Sequence, residues 1–181
     1  MKAVLTPLAA PLLGLGALLA LAACDQPKPR PVEPKAEAPV ASAPAPAPPT
    51  GGASVGLAKR AEMAGFSLDV INDAKDPVNT PASISAAGPV TFSGFGFDPV
   101  AKTPGAAVDI VIDGAAYPTT YNLQRSDVAA YFKTPALENS GFTVTLPAGA
   151  IKAGPHQAVV RVVSADKTGY FDSVTIGFVA K

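Results

Sequence analysis

Nine of the 25 residues from Gln26 to Thr50 are proline and six are alanine, and that stretch constrains everything around it. Each proline fixes φ, removes a backbone donor and pushes its predecessor out of the helical region, so neither a helix nor a strand ladder can form there. What remains is extended polyproline II, a disordered Pro/Ala stalk reaching some 70–80 Å at about 3.1 Å per residue. Its alternating Ala-Pro end offers few side chains to a proline-reading domain, which favours a spacer over a docking ligand. The core must be built from the residues that follow.

Before the stalk, Met1-Lys2 supplies a positive charge and Ala3 to Ala23 form an apolar run broken by Pro7, Pro11, Gly14 and Gly16. A charged start, a leucine-rich middle and small residues at the end form the pattern of a secretory signal. The run approaches the length of a membrane span, but its prolines and glycines weaken a helix. It ends in Leu21-Ala22-Ala23-Cys24, which resembles the lipobox of bacterial lipoproteins. The resemblance implies that Leu21, Ala22 and Ala23 are read by the lipoprotein signal peptidase and that the chain is cut before Cys24. The Cys24 sulfur would take a diacylglyceryl group and its freed amine a third acyl chain. Each buried methylene contributes about 0.8 kcal/mol, so two or three chains anchor a protein where one holds it only marginally. The expected location is a bacterial membrane facing the periplasm. Asp25 resembles the signal that retains lipoproteins in the inner membrane, which favours that membrane over the outer one.

Cys24 is the only cysteine, so disulfide staples and multi-thiolate metal sites are excluded. Lys plus Arg and Asp plus Glu number 14 each. Without a basic excess, nucleic acid is not an expected partner.

Beyond Phe66 short apolar runs alternate with Gly, Pro, Asn and Asp. Strands are predicted near 66–71, 89–97, 107–112, 115–123, 141–146, 156–163 and 170–179. Asp113-Gly114 after Val108–Ile112 signals a tight hairpin, with Val108, Ile110 and Ile112 facing the core. His156–Val163 is apolar on both parities and reads as a central strand. A helix is predicted after Ser126 or Asp127 as cap, with Val128, Tyr131 and Phe132 on one face. In the transitional stretch, Ser54 is a candidate cap for a short helix through Leu57, Ala61 and Met63, closed by Gly65. The division is therefore a signal peptide over 1–23, a lipidated linker and transition over 24–65, and a folded domain over 66–181. About seven strands and one helix describe an all-β, immunoglobulin-like sandwich.

Gly94-Phe95-Gly96-Phe97-Asp98-Pro99, Val108 through Gly114, Arg125-Ser126-Asp127-Val128, Gly141-Phe142 and Gly154-Pro155-His156 follow in that order. The series resembles the bacterial Ig-like module, an accessory domain of exported and cell-surface proteins, over about residues 89–166. Those relatives more often carry Trp where Phe95 stands. The resemblance implies a sandwich and no activity.

The residues that could carry chemistry are few. His156, the only histidine, lacks histidine or cysteine partners for a metal site, and is expected to open a strand and bond a loop. Arg125 with Asp127 is a candidate recognition pair, because a guanidinium fork suits a carboxylate or sugar hydroxyl; the structural alternative has Asp127 capping the helix and Arg125 tying the hairpin to it. Asp98, Asp109, Asp113 and Asp127 lack the spacing of a calcium loop. Tyr117 and Tyr121, with Tyr131 and Tyr170, are candidates for a sugar-stacking platform. No metal, cofactor or catalytic residue is expected. The expected function is a non-catalytic, lipid-anchored module that binds an envelope protein or serves a structural role. The alternative is carbohydrate or peptidoglycan binding, and a small hydrolase comes third.

Overall fold

A computed structural model describes residues 51–181; the expected signal peptide, Cys24 and the expected stalk lie outside the described residues. Twelve strands form two sheets. In chain order they are β1 (Ala58–Met63), β2 (Gly65–Ile71), β3 (Ala74–Lys75), β4 (Ala82–Ile84), β5 (Val90–Phe97) and β6 (Ala107–Ile112), then β7 (Ala115–Pro118), β8 (Thr120–Leu123), β9 (Gly141–Leu146), β10 (Gly154–Val163), β11 (Gly169–Asp172) and β12 (Ile176–Ala180). A short helix α1 (Ser126–Tyr131) and a 3-10 turn (Pro135–Asn139) separate β8 from β9. The fold is an all-β sandwich with one helix.

The first sheet is built around β10, which is central as its two-sided apolarity predicts. On one side it pairs with β6, which pairs in turn with β7. On the other, its first half pairs with β12 and its second half with β11. The edges beyond those are parallel additions, β4 on β12 and β1 on β11. The second sheet runs β3-β2-β5-β9-β8. Between the sheets lie Leu68, Phe92, Val108, Ile110, Phe142, Val160, Val162, Phe171 and Phe178, all buried. At the β6–β7 hairpin both Asp113 and Gly114 adopt positive φ, 49° and 88°, as a two-residue turn with this twist requires.

Four local expectations are corrected. The stretch 115–123 is two strands, because Pro118 has no donor to continue β7 and Thr119 bonds back to the Val108 carbonyl through its N–H and its hydroxyl. β8 then pairs with β9 in the other sheet. The stretch 170–179 also divides, at Ser173, whose N–H donates to Val160 O while its Oγ accepts from Val160 N. In place of the helix expected between Ser54 and Gly65, Ala58–Met63 form strand β1, since so short a helix is marginal on its own and pairing with β11 supplies what propensity cannot. Finally, Arg125 occupies the N-cap of α1, and no side chain, Ser126 and Asp127 included, caps it.

Residues on β5 alternate in a way that positions α1. Val90 and Phe92 face the main core, whereas Phe95 and Phe97 face away from it. The segment carrying α1 and the 3-10 turn folds over those two rings, so that Phe97, Val128 and Leu137 make a second small core. Of the three side chains expected on one buried face, Val128 is 3% exposed, Phe132 41% and Tyr131 81%. A single turn and a half of helix on a flat sheet can bury only its lowest residue.

Candidate functional site

Arg125 enters α1 with its guanidinium turned back across the sheet. Nε and Nη2 donate to the two carboxylate oxygens of Asp127 at 2.9 and 2.7 Å, and Nη1 donates to Asp69 of β2 at 2.7 Å. The fork geometry suits one bidentate carboxylate with a donor to spare for a second. The guanidinium carbon also lies 5.3 Å from the centre of the Phe95 ring. The Arg125 hydrogen bonds hold the Asp127 carboxyl down at about 2, against a smaller opposing effect of burial. Its own pKa is raised, above all by the bond to Asp127. The expected pair is thus formed, and Asp69 is the member that sequence spacing did not reveal.

Beside this triad the aromatic rings converge. Phe132 meets Phe97, Phe95 and Tyr131 edge-on, with centroids 5.1, 6.2 and 5.0 Å apart. Phe95 and Phe97, two residues apart on one face of β5, stack at 6.3 Å. A groove opens between α1 and β2, lined by Phe66, Ser67, Phe95, Val128, Tyr131 and Phe132, with Asp127 at its margin. Two glycines in Gly94-Phe95-Gly96-Phe97 face the sandwich interior. At Gly94 a Cβ would run into the Ser67 carbonyl, so close approach of β2 requires glycine there. The signal in the sequence was therefore present: phenylalanine every second residue, with no bulk on the intervening face.

The remaining candidates are dispersed. Tyr117 is buried in the main core. Tyr121 donates its hydroxyl to Gly96 O at 2.6 Å and accepts from Gly105 N at 2.9 Å; burial pushes its pKa up to about 12, the Asp98 charge adding to burial and the Gly105 bond opposing it. Arg161 stacks over Tyr170 at 4.0 Å while bonding Asp172 in bidentate fashion. The four tyrosines form no shared row. Asp98 is buried and accepts from the backbone N–H groups of Val100, Ala101 and Ala165, which makes it a loop organiser. His156 is the third residue of β10, which begins at Gly154 rather than at the histidine, and it bonds Asp113 and the Lys152 carbonyl. Among the described residues no cluster of three or more His, Cys, Asp or Glu side chains could hold a metal ion.

Asp109 is the residue that sequence reasoning placed least well. It lies fully buried on β6, and its carboxylate accepts from Ala53 N, Ser54 N and Ser54 Oγ at 3.0, 2.9 and 2.7 Å. The segment before β1 is thereby pinned to the face of the first sheet. An aspartate at a strand position flanked by Val108, Ile110 and Val111 was the signal that it had an internal partner.

Comparison with protein-family models, with curated proteins and with solved structures finds no match for this chain.

Proposed function

We propose that this chain is a non-catalytic, lipid-anchored protein of the bacterial envelope, and that its immunoglobulin-like sandwich binds a protein partner through the groove beside α1. The anchor rests on the Leu21–Cys24 box and the reach on the Pro/Ala stalk. The binding surface rests on Tyr131, 81% exposed, at the end of an aromatic cluster whose other members are supported from below. An exposed aromatic on a rigid base is the kind of anchor around which protein interfaces form. A carbohydrate platform would need several exposed rings, and Tyr117 and Tyr121 are engaged within the fold.

A photo-crosslinking side chain placed at Tyr131 in cells, with the control at exposed Val174, tests the reading. One defined protein should be captured from position 131 and from Ser67 but not from position 174. A glycan adduct at 131, or equal capture at all three positions, would overturn it.

A further inference from the structure

The proposal here rests on that reading and concerns how the partner is held. We propose that the groove takes an extended segment of the partner, added as a strand to the free edge of β2, with an apolar side chain among the rings and a lysine or arginine two residues on, lying over Asp127.

The pairing pattern leaves this edge open. β2 pairs with β5 from Gly65 to Ile71 with a register shift at Asp69, but β3 covers its other edge only at Val70 and Ile71. From Gly65 to Leu68 that edge has no strand partner among the described residues. The groove runs around it: Phe66 packs against the main core, whereas Ser67 sits opposite Phe95, which faces outward. The groove is lined by Phe66 and Ser67 of this unpaired stretch together with Phe95. A chain lying in it would run beside unpaired backbone donors and acceptors, the arrangement used in strand addition.

Other edges of the sandwich carry devices that discourage such pairing. β1 bears Lys59, Arg60 and Glu62, β7 ends at Pro118, and β8 is bent at Asn122 with φ of 63°. Gly65 to Leu68 carries no charge and no proline.

Charge specifies the occupant. One guanidinium, Arg125, serves two carboxylates, Asp69 and Asp127, leaving a net negative charge at the groove margin. The Asp127 side chain is 66% exposed and keeps lone pairs for a further donor. Lys133 lines no part of the groove. Aromatic faces also attract cations. In a strand, residues two apart share a face at roughly 7 Å spacing, so an apolar residue at one position and a basic residue two on would fall together on the α1 side.

The test uses the full chain in detergent and fluorescent nine-residue peptides of alternating threonine, with valine and lysine two apart on one face. Saturable binding is expected, at least tenfold weaker when lysine becomes glutamate and in the Asp127→Asn and Tyr131→Ala variants, with slowed amide exchange at Gly65 to Leu68. A backbone N-methylated peptide should fail to bind. If it binds equally well, or if no peptide binds while crosslinking at position 131 still captures one protein, strand addition is wrong and the protein-binding reading survives. If the chain alone sediments as a dimer with Gly65 to Leu68 protected, the occupant is a second copy and the proposal is overturned.

Discussion

Ser54 donates its hydroxyl to the carboxylate of Asp109 at 2.7 Å, 55 residues away in sequence, and both side chains are buried. With the two backbone donors of Ala53 and Ser54, this bond is the principal polar tie between the segment before β1 and the first sheet. Hydrogen bonds to a charged acceptor contribute about 1.5–3 kcal/mol together with the desolvation they offset. Asp109→Ala should therefore lower the urea unfolding free energy by about 1–3 kcal/mol and open cleavage sites between Gly51 and Leu57 in limited proteolysis. Unchanged resistance to protease would mean that β1 alone holds the segment.

His156 gives the domain a pH dependence. Nδ1 lies 2.6 Å from Asp113 Oδ2 and Nε2 2.7 Å from the Lys152 carbonyl, and the ring stacks on Phe178. Both neighbours accept, so only the doubly protonated ring can donate to both. Burial pushes the His156 pKa down, but the Asp113 bond, the Lys152 carbonyl and the Asp113 charge outweigh it and hold it above its usual value. Burial likewise raises Asp113, and the His156 and Gln157 bonds bring it below its ordinary range. With the histidine raised, its contribution is complete below the unfolded value of about 6.5 and fades as pH rises through the folded one. With the aspartate depressed, its contribution is present above about 3.9 and fades as pH falls through the folded value. Melting temperature should thus be highest between about pH 4 and 6.5 and fall toward pH 8, and His156→Gln should flatten the upper slope. A wild-type profile flat from pH 5 to 8 would show that the pair adds nothing.

The small core under α1 separates architecture from recognition. Leu137→Ala removes a side chain that is 1% exposed and should cost about 2–5 kcal/mol. Tyr131→Ala, at the opposite extreme of exposure, should stay within about 0.5 kcal/mol. Chemical denaturation of the two variants checks the contrast, and a large loss in the tyrosine variant would place it in the core.

The proposed lipid attachment rests on Cys24, the only cysteine of the chain. Cys24→Ala should abolish incorporation of labelled fatty acid and leave the chain uncut at this position, both visible on a gel. Continued labelling would remove the lipidated anchor from the proposal.

Strand existence was legible where apolar residues alternate over five or more positions between turn residues, as in β5, β6 and β9. The short edge strands β3 and β4 were not, because two or three residues carry no periodicity and exist only through their neighbours. β1 was misread for a related reason: Ala58–Met63 is rich in helix formers, and a parallel partner more than a hundred residues later outweighs that preference. At the candidate site, Arg125 with Asp127 was visible from adjacency. Asp69 was not, because only the pairing of β2 with β5 brings it under the arginine. The Tyr117 and Tyr121 candidates shared residue type rather than a face.

The parallel edges of the first sheet also set an order of events. β1 waits for β11 and β4 waits for β12, so these two early strands have no strand partners until residues 169–180 exist. Such long-range pairing makes folding slow compared with helical domains of similar size. The first sheet is therefore complete only when the last residues of the domain are present, and a chain ending before residue 169 would leave β1 and β4 without partners.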